Sequence, residues 1–267
     1  MFGAIYADIV GSYYENHSTK NYDFPLEKDS HFTDDSVLIT AVCNTILNDS
    51  SEIGAFGVRL RSRQYAAQYR QFYSYYPSAG FGSMFAEWAR NPRAKNYRSY
   101  ANGAAMRVMP IAYAYRDWNQ MMRQVEASCL PTHNSAEAKI AARAVAAAIG
   151  MALAGESKEE MRAYLEDRYF DLSKPIALLR KTHVFDSRAS YSVPPAIRAF
   201  LESADYESAV RNAVSLGGDA DTQACIAGGI AEAYYHEIPE QIKRFCDERL
   251  SMTTIRNVVK KFEEKYG

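Results

Sequence analysis

The segment that most constrains the fold is residues 215–235, SLGGDADTQACIAGGIAEAYY. Asp219 and Asp221 follow a Gly-Gly pair, Thr222 comes next, and an apolar run of small residues follows. The run has helical spacing and almost no side-chain bulk, so it predicts a buried helix that its neighbours approach closely. Carboxylates at the mouth of such a helix are costly unless something pairs with them.

Two interpretations of these carboxylates remain open from this segment alone. Asp and Thr side chains can cap the free N–H groups of a first helical turn, where the helix dipole also favours negative charge. Alternatively, carboxylate and hydroxyl oxygens can bind a hard divalent cation. One Asp is enough for a cap, whereas two Asp and a Thr are more than a cap requires.

A second acidic helix start lies near the other end of the chain. Residues 33–36, TDDS, precede another apolar run with helical spacing. If the two helix starts face each other, they gather six oxygen-bearing side chains: Thr33, Asp34, Asp35, Asp219, Asp221 and Thr222. A set without Cys or His favours Mg²⁺, Mn²⁺ or Ca²⁺ over Zn²⁺. Four carboxylates gathered without a cation would repel one another strongly.

Five segments in the same order along the chain carry a family resemblance. They are the opening MFGAIYADIVGSYYE, the Thr-Asp-Asp helix start, the middle YANGAAMRVMPIAYAY, the short PTHN, and the late GGDADT. Together they resemble the ADP-ribosylglycohydrolase family and span residues 1–236. An isolated Asp-x-Asp-Thr is a weak signal, whereas the ordered set is specific.

The resemblance implies a metal-dependent hydrolase that releases ADP-ribose from a modified protein side chain or a small acceptor. It implies two Mg²⁺ ions, with Mn²⁺ also suitable. We expect one ion on Thr33, Asp34, Asp35 and Asp221, and the other on Asp219, Asp221 and Thr222. Glu15 and Asp35 are the expected catalytic carboxylates. The positions expected to bind ADP-ribose are Ser99, Tyr100, Asn102 and His133.

Three further expectations concern the surroundings of this site. Asp8, on an apolar helix face, is expected to be a buried carboxylate that bonds a nearby helix end. Ala101 stands where the family usually has Gly, and a methyl group costs about 1 kcal/mol if the turn there needs positive φ. The loop of residues 181–194 is expected to cross the cleft, and it can either touch the departing group or simply connect helices.

Helical periodicity without useful strand alternation predicts an all-α fold. Helices are expected over residues 2–14, 34–48 with Thr33 or Asp34 as cap, 109–123 and 136–154. At 267 residues we expect one domain over 1–267, an orthogonal bundle of about a dozen or more helices around a binuclear metal cleft.

Composition and charge limit the partners and the cellular compartment that can be expected. The formal net charge of −1 does not favour nucleic acid, and no apolar segment approaches the length of a membrane span. Four cysteines without C-x-x-C spacing and an N-terminus without a basic leader favour a cytoplasmic protein. A monomer is expected.

Two other functions remain open. A member of the same fold can bind ADP-ribose without cleaving it or serve a structural role. A metal-dependent phosphohydrolase acting on nucleotides can also use an Asp-rich oxygen site on a helical scaffold. Unpaired buried carboxylates would only destabilise an inert scaffold, which disfavours the first of these.

Overall fold

Fourteen α-helices form the regular structure of the computed structural model, which describes residues 1–267. Two short 3-10 segments, Ala55–Gly57 and Asn102–Arg107, supplement them. Extended backbone pairs only in two isolated bridges, so there is no sheet. The prediction of an all-α fold with a dozen or more helices is confirmed.

The helices are numbered in chain order. They are α1 (Phe2–Asn16), α2 (Asp34–Asn48), α3 (Val58–Tyr75), α4 (Ser83–Arg90), α5 (Met109–Ala114), α6 (Trp118–Cys129), α7 (Ala136–Leu153), α8 (Lys158–Arg168), α9 (Ile176–Thr182), α10 (Ala189–Leu201), α11 (Tyr206–Val214), α12 (Ala220–Tyr235), α13 (Glu240–Leu250) and α14 (Thr254–Tyr266).

Polar side chains fix several of the helix starts. Thr33 caps α2 by accepting a hydrogen bond from the Asp35 N–H, and Ser135 caps α7 in the same way. Ser157 and Glu160 form a reciprocal capping box at the start of α8. Each such bond satisfies a donor that the first helical turn otherwise leaves free.

The single helix predicted over residues 109–123 is wrong, because the structure divides this region into α5 and α6. Tyr115 has extended backbone, and the Asp117 carboxylate accepts a hydrogen bond from the Gln120 N–H to start a new helix. Apolar periodicity continues through both helices, so the sequence pattern alone did not reveal the break.

Helix α12 lies at the centre of the core. Every residue from 220 to 231 is buried, and α1, α7, α10 and α11 pack around it. Small residues allow this approach: a Cβ added at Gly228 would lie 2.5 Å from the Ala7 Cβ and 3.0 Å from the Gly3 carbonyl oxygen. The predicted close approach of neighbours to this helix is therefore confirmed, most tightly along α1.

The two isolated bridges tie loops together beside the start of α12. Arg98 pairs with His133, and Ala101 pairs with Arg188. Three connections, ahead of α5, α7 and α10, thus converge on the site described below. All four cysteines are buried and unpaired, and no helix is both long and apolar enough to cross a membrane.

Candidate metal centre and cleft

The contact between α1 and the start of α12 brings the first carboxylates together. A Cβ added at Gly11 would lie 2.5 Å from the Ala220 carbonyl oxygen and 2.7 Å from the Asp221 Cα. The backbones can approach this closely only because Gly11 has no side chain. As a result, Asp8 and Glu15, on either side of Gly11 in α1, lie next to Asp221.

Asp8 anchors the start of α2. Its carboxylate accepts hydrogen bonds from the Thr33 N–H at 3.0 Å, the Thr33 hydroxyl at 2.7 Å and the Ser36 N–H at 3.3 Å. The Ser36 hydroxyl donates to the same carboxylate. The expectation that Asp8 bonds a helix end is confirmed. With both oxygens already accepting hydrogen bonds, Asp8 is suited to hold α2 in place rather than to bind an ion directly.

The two acidic helix starts meet although they are far apart in sequence. The Thr222 hydroxyl donates to Asp35 Oδ2 at 3.2 Å across a separation of 187 residues. Thr33 supports the same carboxylate from behind, since its Oγ1 lies 3.5 Å from Asp35 Oδ2. The convergence on which the predicted metal site depends is therefore present.

Asp219 does not act as a helix cap, although it occupies the N-cap position of α12. Its Oδ2 instead accepts a hydrogen bond from the Asn102 side-chain amide at 2.8 Å. Asn102 in turn donates to the Ser192 hydroxyl at 3.1 Å. The capping interpretation thus does not account for Asp219, whose carboxylate is turned towards Asn102 and the cleft.

Asp221 is common to two groups of carboxylates. Its oxygens come within 4.8 Å of those of Asp8 and Asp35 in one group, and of those of Glu15 and Asp219 in the other. Asp35 Oδ1 is buried and has no hydrogen-bond donor. Gathered, buried oxygens with one left unpartnered are the donor set that a hard divalent cation requires. The residues present therefore fit the expected ions.

Burial and mutual repulsion both oppose ionisation of these carboxylates. Burial, followed by the charges of Asp219 and Asp35, raises the pKa of Asp221 well above its ordinary value. The pKa of Asp35 is raised in the same way, first by burial and then by Asp8. Burial, with Asp8 and Asp219 as the next contributors, raises the pKa of Asp34 to about 8. A bound cation would remove this cost.

Glu15 has a different environment. It lies at the open side of the cluster and is partly exposed. Burial raises its pKa, and the negative charges of Asp219 and Asp8 raise it further. A carboxyl group of this kind retains a proton to higher pH than a free glutamate, and it can therefore donate one.

A cavity of about 330 Å³ opens beside the carboxylates. Nine of the eleven residues proposed for the site line it: Glu15, Asp34, Asp35, Ser99, Asn102, His133, Asp219, Asp221 and Thr222. Thr33 lies directly behind Asp35 and does not line the cavity.

Tyr100 departs from the predicted arrangement, whereas Asp8 adds a residue to it. The Tyr100 side chain is 57% exposed and does not line the cavity; its carbonyl oxygen accepts the Ala189 N–H at 3.0 Å. Asp8 was absent from the predicted site, yet it orients the start of α2. A lone Asp on an apolar helix face was the available signal.

Two features of the surrounding loops can now be assessed. Ala101 has φ −72, so the alanine carries no positive-φ strain, and the predicted cost does not arise. The loop predicted over residues 181–194 is shorter than expected, because α9 ends at Thr182 and α10 begins at Ala189. Phe185 and Ser187 of the remaining loop line the cavity, so this loop borders the cleft.

The fold and the site first define a class: an all-α protein whose buried carboxylates, suited to divalent cations, open into a cleft lined by polar groups. The chain belongs to the ADP-ribosylglycohydrolase family, whose profile matches residues 1–266.

Curated relatives and a solved structure agree with this membership. The chain is 26% identical to the ADP-ribosylhydrolase ARH3 of Homo sapiens, and the alignment covers 92% of this chain and 88% of the relative. The Xenopus tropicalis ARH3 is 25% identical, with coverages of 91% and 87%. A structure described as an ADP-ribosylglycohydrolase-related protein complex has a TM-score of 0.65 at 21% identity, covering 98% and 95% of the two chains, and supports the fold.

Proposed function

We propose that this protein hydrolyses the glycosidic bond between ADP-ribose and an acceptor, with divalent ions held at the carboxylate cluster. The observation that carries the proposal is the meeting of two acidic helix starts at Asp221, with Asp35 Oδ1 left without a donor. Family membership supports the reaction class. The relatives named above support ADP-ribosylated acceptors as substrates.

The ions would be held by Asp34, Asp35, Asp219, Asp221 and Thr222, with Thr33 supporting Asp35. Mg²⁺ is the expected ion, and Mn²⁺ also suits oxygen ligands. When bound, these divalent ions supply positive charge that orients substrate oxygens and favours ionisation of a nearby water.

The chain itself supplies position and proton transfer. Asn102 holds the Asp219 carboxylate at 2.8 Å, and Thr222 holds Asp35 at 3.2 Å, so both are fixed before substrate arrives. The bond from the anomeric carbon to the acceptor breaks with its electron pair moving to the acceptor atom. The nearby carboxylates stabilise the positive charge that develops on the sugar.

Hydrolysis delivers one proton to the acceptor atom and removes one proton from the attacking water. The acceptor atom takes one proton, which Glu15 is placed to give, since it lines the cavity and its pKa is raised by burial. Water adds its hydroxyl to the anomeric carbon, and its remaining proton passes to a carboxylate, either Glu15 after donation or Asp35. The products are ADP-ribose and the free acceptor.

The test is a panel of acceptors joined to ADP-ribose through arginine, through serine and through a small guanidine. Each is incubated with the protein in Mg²⁺, in chelator, and in chelator followed by excess Mg²⁺ or Mn²⁺. Chromatography measures free ADP-ribose. We expect release from at least one acceptor in Mg²⁺, loss in chelator and recovery when metal is restored.

The same chromatograms, together with calorimetry of ADP-ribose binding, distinguish the other functions. Binding of ADP-ribose without release from any acceptor would identify a non-catalytic member of the family. Appearance of AMP from ADP-ribose itself would identify cleavage of the diphosphate, as expected for a nucleotide phosphohydrolase. Either result would overturn the proposed activity.

A further inference from the structure

Arg107 is a buried cation without a carboxylate partner. It ends the 3-10 segment Asn102–Arg107, has no measurable exposure and lies over the Tyr69 ring at 4.2 Å. One guanidinium nitrogen, Nη2, donates to the Ser128 carbonyl at 3.0 Å and to the Thr132 hydroxyl at 3.0 Å. Nε and Nη1 have no acceptor. Such a charge is costly to bury, so a role beyond packing is expected of it.

Arg107 determines how the Thr132 hydroxyl can bond. Arg is always a donor, so Thr132 Oγ1 must accept from it, which leaves the single hydroxyl proton of Thr132 to be donated. The only other partner of that oxygen is His133 Nδ1 at 2.8 Å. If Nδ1 carried the proton, the fully buried Thr132 hydroxyl would have no acceptor, at a cost of about 1–3 kcal/mol.

The charged form of His133 is also disfavoured. Burial, followed by the positive charge of Arg107, holds the pKa of His133 well below its ordinary value. A neutral ring whose Nδ1 accepts from Thr132 must carry its proton on Nε2.

Nε2 is placed at the cleft. His133 lines the cavity and is only 6% exposed, and no protein atom hydrogen-bonds to its Nε2. The ring is pressed against Gly103, where an added Cβ would lie 2.8 Å from Nε2. A buried donor without a protein partner, fixed from both sides, is suited to a ligand that supplies an acceptor.

We propose that Arg107, acting through Thr132, holds His133 as a neutral ring with its proton on Nε2, so that His133 donates a hydrogen bond to an acceptor oxygen of ADP-ribose in the cleft. Arg107 and Thr132 are then positioning residues, and His133 is the group that touches the ligand. The identity of the ligand depends on the proposed function, whereas the location of the proton does not.

The proton location is measured without any ligand. Nitrogen-15 spectra of the histidine-labelled protein at neutral pH distinguish a protonated ring nitrogen from an unprotonated one, and the signal that disappears in His133→Gln assigns the ring. We expect Nε2 protonated and Nδ1 unprotonated. A cationic ring, or a proton on Nδ1, would overturn the inference.

Two variants of Thr132 test the connection to binding. Thr132→Val removes the hydroxyl, so the His133 signals should move towards an average of the two tautomers. ADP-ribose affinity measured by calorimetry should then fall about fivefold, the effect of one hydrogen bond. Thr132→Ser keeps the hydroxyl and should retain the wild-type spectrum and affinity. Melting temperatures of both variants confirm that they are folded.

The outcomes separate the inference from the proposed function. An unchanged spectrum and affinity in Thr132→Val would refute the positioning role. A wild-type protein with the Nε2 proton but no affinity for ADP-ribose would instead refute the proposed ligand, and with it the function.

Discussion

Asp221 is the residue on which the candidate metal centre most depends. Its oxygens approach those of Asp8 and Asp35 on one side and those of Glu15 and Asp219 on the other. No other carboxylate is common to both groups. Replacing this one side chain should therefore disturb both groups of carboxylates together.

We predict that Asp221→Asn abolishes stabilisation by Mg²⁺. In wild type, an ion at 100 times its dissociation constant should add about 2.7 kcal/mol to the free energy of unfolding. In chelator the variant should melt above wild type, because Asn removes a carboxyl group whose ionisation burial and the neighbouring carboxylates oppose. Release of ADP-ribose should fall by at least about 100-fold, the upper end for residues that only orient a ligand.

Thermal melting with Mg²⁺ and with chelator makes the measurement, and Asp167→Asn is the matched control. The Asp167 side chain is 76% exposed and lies 3.8 Å from Arg168 Nε, so its loss should change neither the Mg²⁺ stabilisation nor the release of ADP-ribose. If Asp221→Asn retained the full Mg²⁺ response, the carboxylate cluster would not be the metal centre.

At this scale the sequence indicated that Asp8 bonds a helix end and that Asp35 is an oxygen ligand, but it did not identify α2 as the helix that Asp8 bonds. Four hydrogen-bond donors surround Asp8, while Asp35 Oδ1 has none. That difference depends on Ser36 and Thr33 reaching across from another helix. Residue type and spacing do not encode this contact, whereas the three-dimensional structure does.

Helix α1 positions the centre through its glycine contact with α12. The Gly11 position faces backbone atoms of Ala220 and Asp221, which cannot move as a flexible side chain can. This one contact consequently both packs the two helices together and places Asp221.

We predict that Gly11→Ala lowers the free energy of unfolding by about 1–3 kcal/mol through overpacking. It should also reduce ADP-ribose release more than this loss of stability explains, because α12 shifts at Asp221. Gly54→Ala is the control, since nothing lies within 4 Å of a Cβ there and Gly54 has φ −73. Urea denaturation and the release assay are the measurements, and equal activity of the two folded variants would contradict the prediction.

Helices with a clear apolar face or cap could be predicted at the element scale, because apolar periodicity and caps are local signals. The expected 136–154 closely matches α7, and Thr33 caps α2 as expected. The break at Tyr115 was missed because both flanking segments keep an apolar face. The small-residue character of residues 224–231 did predict a closely approached helix, but it did not identify α1 as the partner.

Burial of the carboxylates in the folded molecule makes its free energy of unfolding depend on pH. An unfolded aspartate releases its proton at about pH 4, whereas Asp34 in the folded chain retains its proton up to about pH 8. Between these values the folded state binds more protons than the unfolded state. The free energy of unfolding in chelator should therefore fall as pH rises from about 4 to about 8.

Melting temperatures in chelator across this pH range test the prediction. Mg²⁺ should flatten the decline, because a bound cation compensates the negative charge. Asp34→Asn should make the decline shallower in chelator, since one raised pKa is removed. A wild-type melting temperature that rises over the same range without metal would be inconsistent with the burial described here.

The contact between Thr222 and Asp35 spans 187 residues. During translation, α1 and α2 leave the ribosome long before α12 is synthesised. Their acidic side chains therefore lack their partners from α12 during that time. Incomplete nascent chains that stop before α12 would lack half of the ligand set. The candidate centre can therefore form only after α12 has been synthesised.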